Sequence, residues 1–290
     1  MDLTALKIFK SVVEHGGINK AAARLHRVPS NVTTRIKQLE EQLGAKLFLR
    51  VGRRLALSAE GKLLLTYADQ LLRLSSEAEA ALRNGKPRGT LRIGALESTA
   101  ASRLPPVLSR YHALYPEVLI ELVTGTSGAL VSGVHKQDIE AAFVAEPFNA
   151  EGLETRTVFV EELVLITPKS FGPVRSPKDL ENRTVIAFTT GCSYRRRLEA
   201  WLGASRMLPD RVIEFQSYHA IIACVAAGSG IAVVPRAVLE LTRAGANVTT
   251  TALPASIAKA RTQLVWRREH HSATLEAMKN LFPGELKKAA

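Results

Sequence analysis

Within residues 1–58 the apolar positions recur at helical spacing in three separate blocks. Leu3, Leu6, Phe9 and Val13 share one face before His15-Gly16-Gly17 interrupts the pattern. A second block carries Ala21, Ala22, Ala23 and Leu25, with Asn19 read as its N-cap. Its small side chains let another helix approach closely. The third block runs from Pro29 to Leu43 and stops at Gly44. Here Val32, Ile36, Leu39 and Leu43 form one narrow apolar stripe. Ser30, Thr34 and Lys37 fall opposite it, and Asn31, Thr33, Arg35 and Gln38 lie on its flanks. Hydroxyls, amides and cations on the first half of a helix suit the major groove of DNA, where they exchange hydrogen bonds with base edges and phosphates. An ordinary amphipathic surface helix has the same pattern, but the short helix and tight turn just before it favour the groove.

Two short apolar runs then flank Val51-Gly52-Arg53, which reads as a β-hairpin with Arg50, Arg53 and Arg54 at its tip. Arginines placed there reach phosphates or the minor groove. From Ala59 to Arg83 there is no proline, and Leu64, Ala68, Leu71, Ala78 and Leu82 keep a three-four spacing. A helix of about 25 residues is roughly 37 Å long. It suits pairing with a second copy, or packing in the core of a larger domain. The stretch Asn84-Gly85-Lys86-Pro87-Arg88-Gly89 reads as a hinge and favours pairing.

Beyond residue 89 strand-like and helix-like segments alternate. Strands are predicted at Leu91–Leu96, Val118–Val123, Ile139–Ala145, Val158–Thr167, Thr184–Phe188, Val212–Phe215 and Ile231–Val234. Helices fall between them, at Ser102–Tyr115, Ala129–His135, Arg195–Leu202 and Tyr218–Ala227. This alternation predicts parallel sheets with helices on both faces, in two subdomains.

Charge sharpens the division. Residues 1–58 hold 11 Lys/Arg against 4 Asp/Glu, while the remaining 232 residues hold 28 against 23. A basic head on a nearly balanced body points to a polyanionic partner for the head. A mean hydropathy of +0.04 and the lack of any long apolar run argue against a membrane span. The mixed first residues argue against an export signal, so a cytoplasmic location is expected. Cys192 and Cys224 form neither a zinc pattern nor a disulfide framework, and no metal or cofactor is expected.

The stretch Asn19-Lys-Ala-Ala-Ala-Arg-Leu25, the run from Val32 to Arg50, and Arg53-Arg54-Leu-Ala-Leu-Ser-Ala-Glu-Gly61 together resemble the signature of LysR-type transcriptional regulators. The resemblance implies an N-terminal all-α winged helix-turn-helix over residues 1–58, followed by a dimerising linker helix and hinge over 59–88. It further implies a C-terminal α/β effector domain over 89–290, similar to periplasmic binding proteins. Subdomain I would span about 89–161 and 266–290 and subdomain II about 162–265, with crossings near Glu161 and Val265. Pro29, Ser30, Asn31, Thr33, Thr34, Arg35 and Lys37 would read the groove, and Arg50, Arg53 and Arg54 would form the wing. The implied partners are double-stranded promoter DNA, RNA polymerase, a small effector and further copies of the chain, as a homodimer or homotetramer. One departure stands out: Val28 occupies the place where the family has a Ser or Thr cap.

Ligands of open α/β sheets bind beyond the carboxyl ends of the strands. Four such ends carry small polar residues, giving Ser98, Thr99, Thr126, Ser127, Thr190, Ser193 and Gln216 as candidate effector contacts. The resemblance singles out Ser98, Thr99, Thr126 and Ser193. Free N–H groups at helix starts would favour an anionic effector, with Arg195, Arg196 and Arg197 as a counter-charge or simply a solvated face. Cys192, beside those arginines, is expected to have a lowered thiol pKa. No nucleophile elbow, phosphate-binding loop or metal cluster appears, so no catalytic residue is assigned. A transporter's solute-binding protein would share only the C-terminal architecture.

Overall fold

The computed structural model describes residues 1–51, 54–82 and 87–282. It divides into two compact units, Met1–Gly85 and Lys86–Ala290. The first unit contains α1 (Leu3–Glu14), α2 (Ile18–Arg24), α3 (Pro29–Leu43), β1 (Phe48–Val51), β2 (Arg54–Leu57) and α4 (Ala59–Leu82).

Asp2 caps α1, its carboxylate accepting from Ala5 N at 2.8 Å. α2 begins at Ile18 with Gly17 as N-cap, so Asn19 lies inside the first turn and is not the cap. The turn through Gly16, at φ 69°, delivers the chain two residues earlier than the side-chain pattern suggested. α3 keeps the predicted bounds, because Pro29 presets its first turn and Gly44 closes it in the left-handed region at φ 63°. Val32, Ile36 and Leu39 are buried against Leu6, Phe9, Val12, Ala21 and Ala22, while Leu43 is exposed. Val28 is the N-cap of α3 and supplies no side-chain hydrogen bond. Since Val28 is 63% exposed, Val28→Ser is expected to raise stability by about 1 kcal/mol, read by urea unfolding.

β1 and β2 form an antiparallel hairpin with Phe48 opposite Leu57 and Val51 opposite Arg54. α4 belongs to this unit's core as well as extending beyond it: Ala68 is fully buried with Leu64, Leu65 and Leu72 beside it, and Lys10 Nζ meets Asp69 at 2.5 Å. Its other face exposes Leu63, Tyr67, Leu71 and Leu74.

The second unit opens with β3 (Gly89–Ala95), α5 (Glu97–Ser102), α6 (Leu104–Leu114), β4 (Val118–Thr124), α7 (Ser127–His135), β5 (Ala141–Ala145) and β6 (Leu153–Pro168). It continues with β7 (Thr184–Phe188), α8 (Ser193–Ala204), β8 (Arg211–Phe215), α9 (Tyr218–Ala226), β9 (Ala232–Pro235) and α10 (Arg236–Thr242). It ends with β10 (Val248–Ala252), α11 (Ala255–Ala258), β11 (Lys259–Arg267) and α12 (Ala273–Lys279).

The sheet is mixed rather than parallel throughout. β3 pairs in parallel with β4 and β5, but β11 runs antiparallel to β5 and β6, as do β9 and β10 to β6. The 16-residue β6 is the reason. Its first part, to Glu162, pairs with β11 in subdomain I, and from Leu163 onward it pairs with β9 and β10 in subdomain II. The return crossing lies at Lys259, opposite Glu162, and not at Val265, which sits between Ala142 and Thr155 well inside subdomain I. α12 then packs Leu275 and Met278 into the core of subdomain I with Trp266, Phe143 and Tyr111.

β5 shows how both faces of the sheet are used. Ala141 and Phe143 enter that core, while Ala142, Val144 and Ala145 enter the other, which runs on into subdomain II. A strand covered on both faces is apolar at every position rather than alternating.

Candidate nucleic-acid interface and ligand cleft

On α3 the apolar side is buried and the polar side is not. Pro29, Ser30, Asn31, Thr34, Arg35 and Lys37 are exposed, and Thr33 is half-buried with its hydroxyl donating to Pro29 O at 2.9 Å. Arg50 on β1 is exposed too. Arg53 and the side chain of Arg54 lie outside the described residues.

Glu40 ties the hairpin to α3, a contact that sequence reasoning missed. Its Oε1 accepts from Leu47 N at 2.9 Å and Phe48 N at 3.3 Å, and its Oε2 accepts from Lys46 Nζ at 2.9 Å. Burial alone would raise this carboxyl, but the hydrogen bonds from Lys46, Leu47 and Phe48 outweigh it and hold the pKa below the ordinary value. A carboxylate four residues before a helix-ending glycine was the available signal.

In the second unit the candidate residues separate into two groups. Ser127 and Ser193 are spent on closing the cleft between the subdomains. Ser193 Oγ lies 2.7 Å from Ala145 O and 2.9 Å from Ser127 Oγ, which itself accepts from Ala145 N at 3.2 Å. The start of α8 is thereby fastened to the end of β5. Thr126 caps α7, and a Cβ on Gly191 (φ 95°) would come within 3.0 Å of its Oγ1. Only glycine fits this cross-cleft approach without strain.

Ser98 and Thr99, in contrast, are buried with hydroxyls that find no partner. The Tyr194 hydroxyl, Thr262 Oγ1 and Glu97 Oε2 are in the same condition. Ser98 and Thr262 are both close enough to Tyr194 to affect its titration, although none of the three closes a hydrogen bond. Glu97, Thr126, Phe188, Cys192, Tyr194 and Tyr218 line a cavity of about 10 Å³, room for one water. Burial pushes the Glu97 carboxyl up, partly offset by His219 and the Tyr218 backbone N–H. It pushes the Tyr194 and Tyr218 phenols up as well.

Thr190 and Gln216 are exposed and line neither this cavity nor the larger one beside it. The three arginines do not face the small cavity as a counter-charge. Arg195 pairs with Glu199 and Glu214, while Arg196 and Arg197 donate to the carbonyls of Pro147 and Glu146. Cys192 is a correction. It is 5% exposed, and burial raises its thiol pKa against the weaker pull of the Arg195 and Tyr194 backbone N–H groups. The helix start and nearby arginines cannot lower a thiol that water does not reach.

Two family models cover the chain. Residues 3–62 match the bacterial regulatory helix-turn-helix protein of the lysR family, and residues 84–286 match the LysR substrate binding domain. The chain belongs to the LysR family.

It is 38% identical over 240 residues to the HTH-type transcriptional regulator GltR of Bacillus subtilis (strain 168), covering 82% of this chain and 81% of GltR. It is 40% identical over 255 residues to YofA of Bacillus velezensis, covering 88% of each. Among solved structures, full-length CbnR complexed with its target DNA superposes with a TM-score of 0.69 at 23% identity, over 97% of this chain and 99% of CbnR. A probable transcriptional regulator of Pseudomonas aeruginosa gives 0.72 at 19% identity, over 99% of this chain and 98% of its own. At such identities these two share the fold. This LysR-type chain is therefore a DNA-binding transcriptional regulator with an effector-binding domain, and not an enzyme.

The cavity-lining residues that the sequence concealed are Glu97, Tyr194 and Tyr218, with Thr262 close to Tyr194. Tyr194 stands one place after a predicted contact, and an aromatic in the first turn after a strand-end polar run was its only mark. Thr262 gave none, because β11 reaches the cleft only through its pairing with β5 and β6. Among the described residues no helix is long and apolar enough to cross a membrane.

Proposed function

We propose that this regulator reads promoter DNA with the first half of α3, using Ser30, Asn31, Thr33, Thr34, Arg35 and Lys37 in the major groove, entered at Pro29. Arg50, Arg53 and Arg54 contact the flanking backbone. A small effector enters the cleft at Ser98, Thr99 and Thr126 and resets the two subdomains, and this moves the DNA heads of an oligomer relative to one another. The exposed stripe Leu63, Tyr67, Leu71 and Leu74 joins two copies as a homodimer, and two dimers make the homotetramer. In the cytoplasm the altered DNA contacts then admit or exclude RNA polymerase.

The observation that carries this reading is the one-sidedness of α3: Val32 and Ile36 in its first half are buried and every proposed base-reading side chain except Thr33 is exposed. The effector arm rests on the partnerless hydroxyls. Each buried polar group without a partner costs about 1–3 kcal/mol, so a ligand that supplies donors and acceptors to Ser98, Thr99 and Tyr194 is favoured as the cleft opens.

The test is operator binding and effector response in two variants of the full-length protein. Thr34→Ala is expected to lose about tenfold in discrimination between operator and scrambled DNA. Ser98→Ala combined with Thr126→Val should keep operator affinity and lose the effector-induced change in footprint. Wild-type discrimination by the first variant would refute the reading face. A normal effector response from the second would place the effector elsewhere.

A further inference from the structure

The closure at Ser193 divides the cleft, and on its other side lies a chamber of about 570 Å³. That volume falls within the range of sites for drug-sized ligands, whereas the cavity lined by Glu97, Thr126 and Tyr194 has room for only one water. Its walls come from both subdomains: the segment after β5 and the hinge strands on one side, α8 and α11 on the other.

The charges of this chamber are arranged unusually. Arg196 and Arg197 line it together with Glu146, yet among the described residues neither guanidinium pairs with a carboxylate. Each is held by neutral groups instead. Arg197 Nε donates to Glu146 O at 3.1 Å and its Nη1 to Ser256 O at 3.2 Å, while Arg196 Nη2 donates to Pro147 O. The Glu146 carboxylate accepts from the Gln263 amide. Opposite charges that share one chamber without touching leave their attraction unspent, and each retains spare hydrogen-bonding capacity: further N–H groups on both arginines and a second oxygen on Glu146. The rest of the wall is apolar, with Pro147, Phe148, Ala200 and Ile257.

We propose that this chamber is a second ligand site, separate from the one at Ser98, and that it binds a free α-amino acid with an apolar side chain. The α-carboxylate bridges Arg196 and Arg197, the α-ammonium meets Glu146 and Gln263, and the side chain lies on Phe148 and Ile257. Both charges of the ligand are needed, because a lone carboxylate leaves Glu146 unanswered and a lone amine leaves the arginines so. Since the walls belong to both subdomains, the bound amino acid holds them together at the end of the cleft opposite the first effector.

The test is calorimetric titration and thermal shift of the full-length protein with each standard L-amino acid. Isoamylamine and 4-methylpentanoate serve as leucine stripped of one charge. Apolar amino acids such as leucine, methionine or phenylalanine are expected to bind, with acidic and basic ones and both stripped analogues weaker by about tenfold or more. Glu146→Gln and Arg196→Ala, with unliganded melting checked against wild type, should each weaken binding by about tenfold, while Ser98→Ala should leave it unchanged. Three results would overturn the proposal: no stabilisation by any amino acid, equal binding of the stripped analogues, or loss of binding in Ser98→Ala and not in Glu146→Gln. The last would move the amino acid into the first cavity and leave the DNA and effector readings standing.

Discussion

Arg103→Ala is expected to lower the stability of the second unit by about 3–5 kcal/mol, among the largest effects of any substitution in the chain. Arg103 sits at the joint between α5 and α6, and its Nε and Nη2 grip Glu161 at 2.8 and 3.0 Å in a two-pronged ion pair. The asymmetry of burial decides the magnitude. Glu161 is only 2% exposed, on the β6 segment where the chain passes between the subdomains, whereas a third of the Arg103 side chain still meets water. Removing the arginine therefore strands a carboxylate that solvent cannot reach. Replacing both partners, as in Arg103→Met with Glu161→Leu, should recover most of the loss, since a buried pair exchanged for apolar groups costs little. Urea unfolding of the three proteins measures this. A loss under about 1 kcal/mol in Arg103→Ala would mean that Glu161 finds other partners. Because α5 carries Ser98 and Thr99, the double variant is also expected to respond poorly to effector while remaining folded.

How much of this was legible in the sequence depends on which physics set each feature. α3 was read to the residue because its signals are local: proline at the start, glycine at the end, and an apolar stripe between them. Asn19 misled for the same reason. A good capping side chain was present, but the two glycines before it set the backbone path and started the helix two residues sooner. In the second unit the strand run Val158–Thr167 was found, but its extension back to Leu153 was not. Those five residues join the strand through pairing with β11, a partner about a hundred positions away. Strand β10, Val248-Thr-Thr-Thr-Ala252, went unread, and its polar composition fits an edge strand with one face to solvent. The sheet's mixed direction followed from the same long pairings. At the cleft, sequence located the strand ends that meet there, but not which hydroxyls are spent and which are free. Ser193 and Ser98 look alike as residues; only the tertiary distances give one three oxygens within hydrogen-bonding reach and leave the other without a hydrogen-bond partner.

Glu40→Ala is expected to loosen the hairpin from α3 and to cost the first unit about 2–4 kcal/mol. The substitution removes the one acceptor shared by Leu47 N and Phe48 N, and the Leu47 donor is buried with no water to replace it. The side chain of Leu47 is part of the core with Phe9 and Leu39, so the backbone cannot turn outward to hydrate without losing that packing. Glu40→Gln keeps an acceptor for the backbone and gives up only the charge, so its loss should be smaller. pH separates the two contributions. The carboxyl is held below its ordinary value in the folded state, so its charge stabilises the fold above the unfolded pKa of about 4.3. That contribution fades as pH falls through the lower folded value. The gap between wild type and Glu40→Gln should thus be full at neutral pH and close progressively under acid, while Glu40→Ala stays less stable than both throughout. Operator affinity should follow, since Arg50 on β1 holds its place relative to Thr34 and Lys37 only while Glu40 fixes β1 to α3. Melting curves for Glu40→Ala that coincide with wild type at neutral pH would show that the core around Leu47 alone fixes the hairpin.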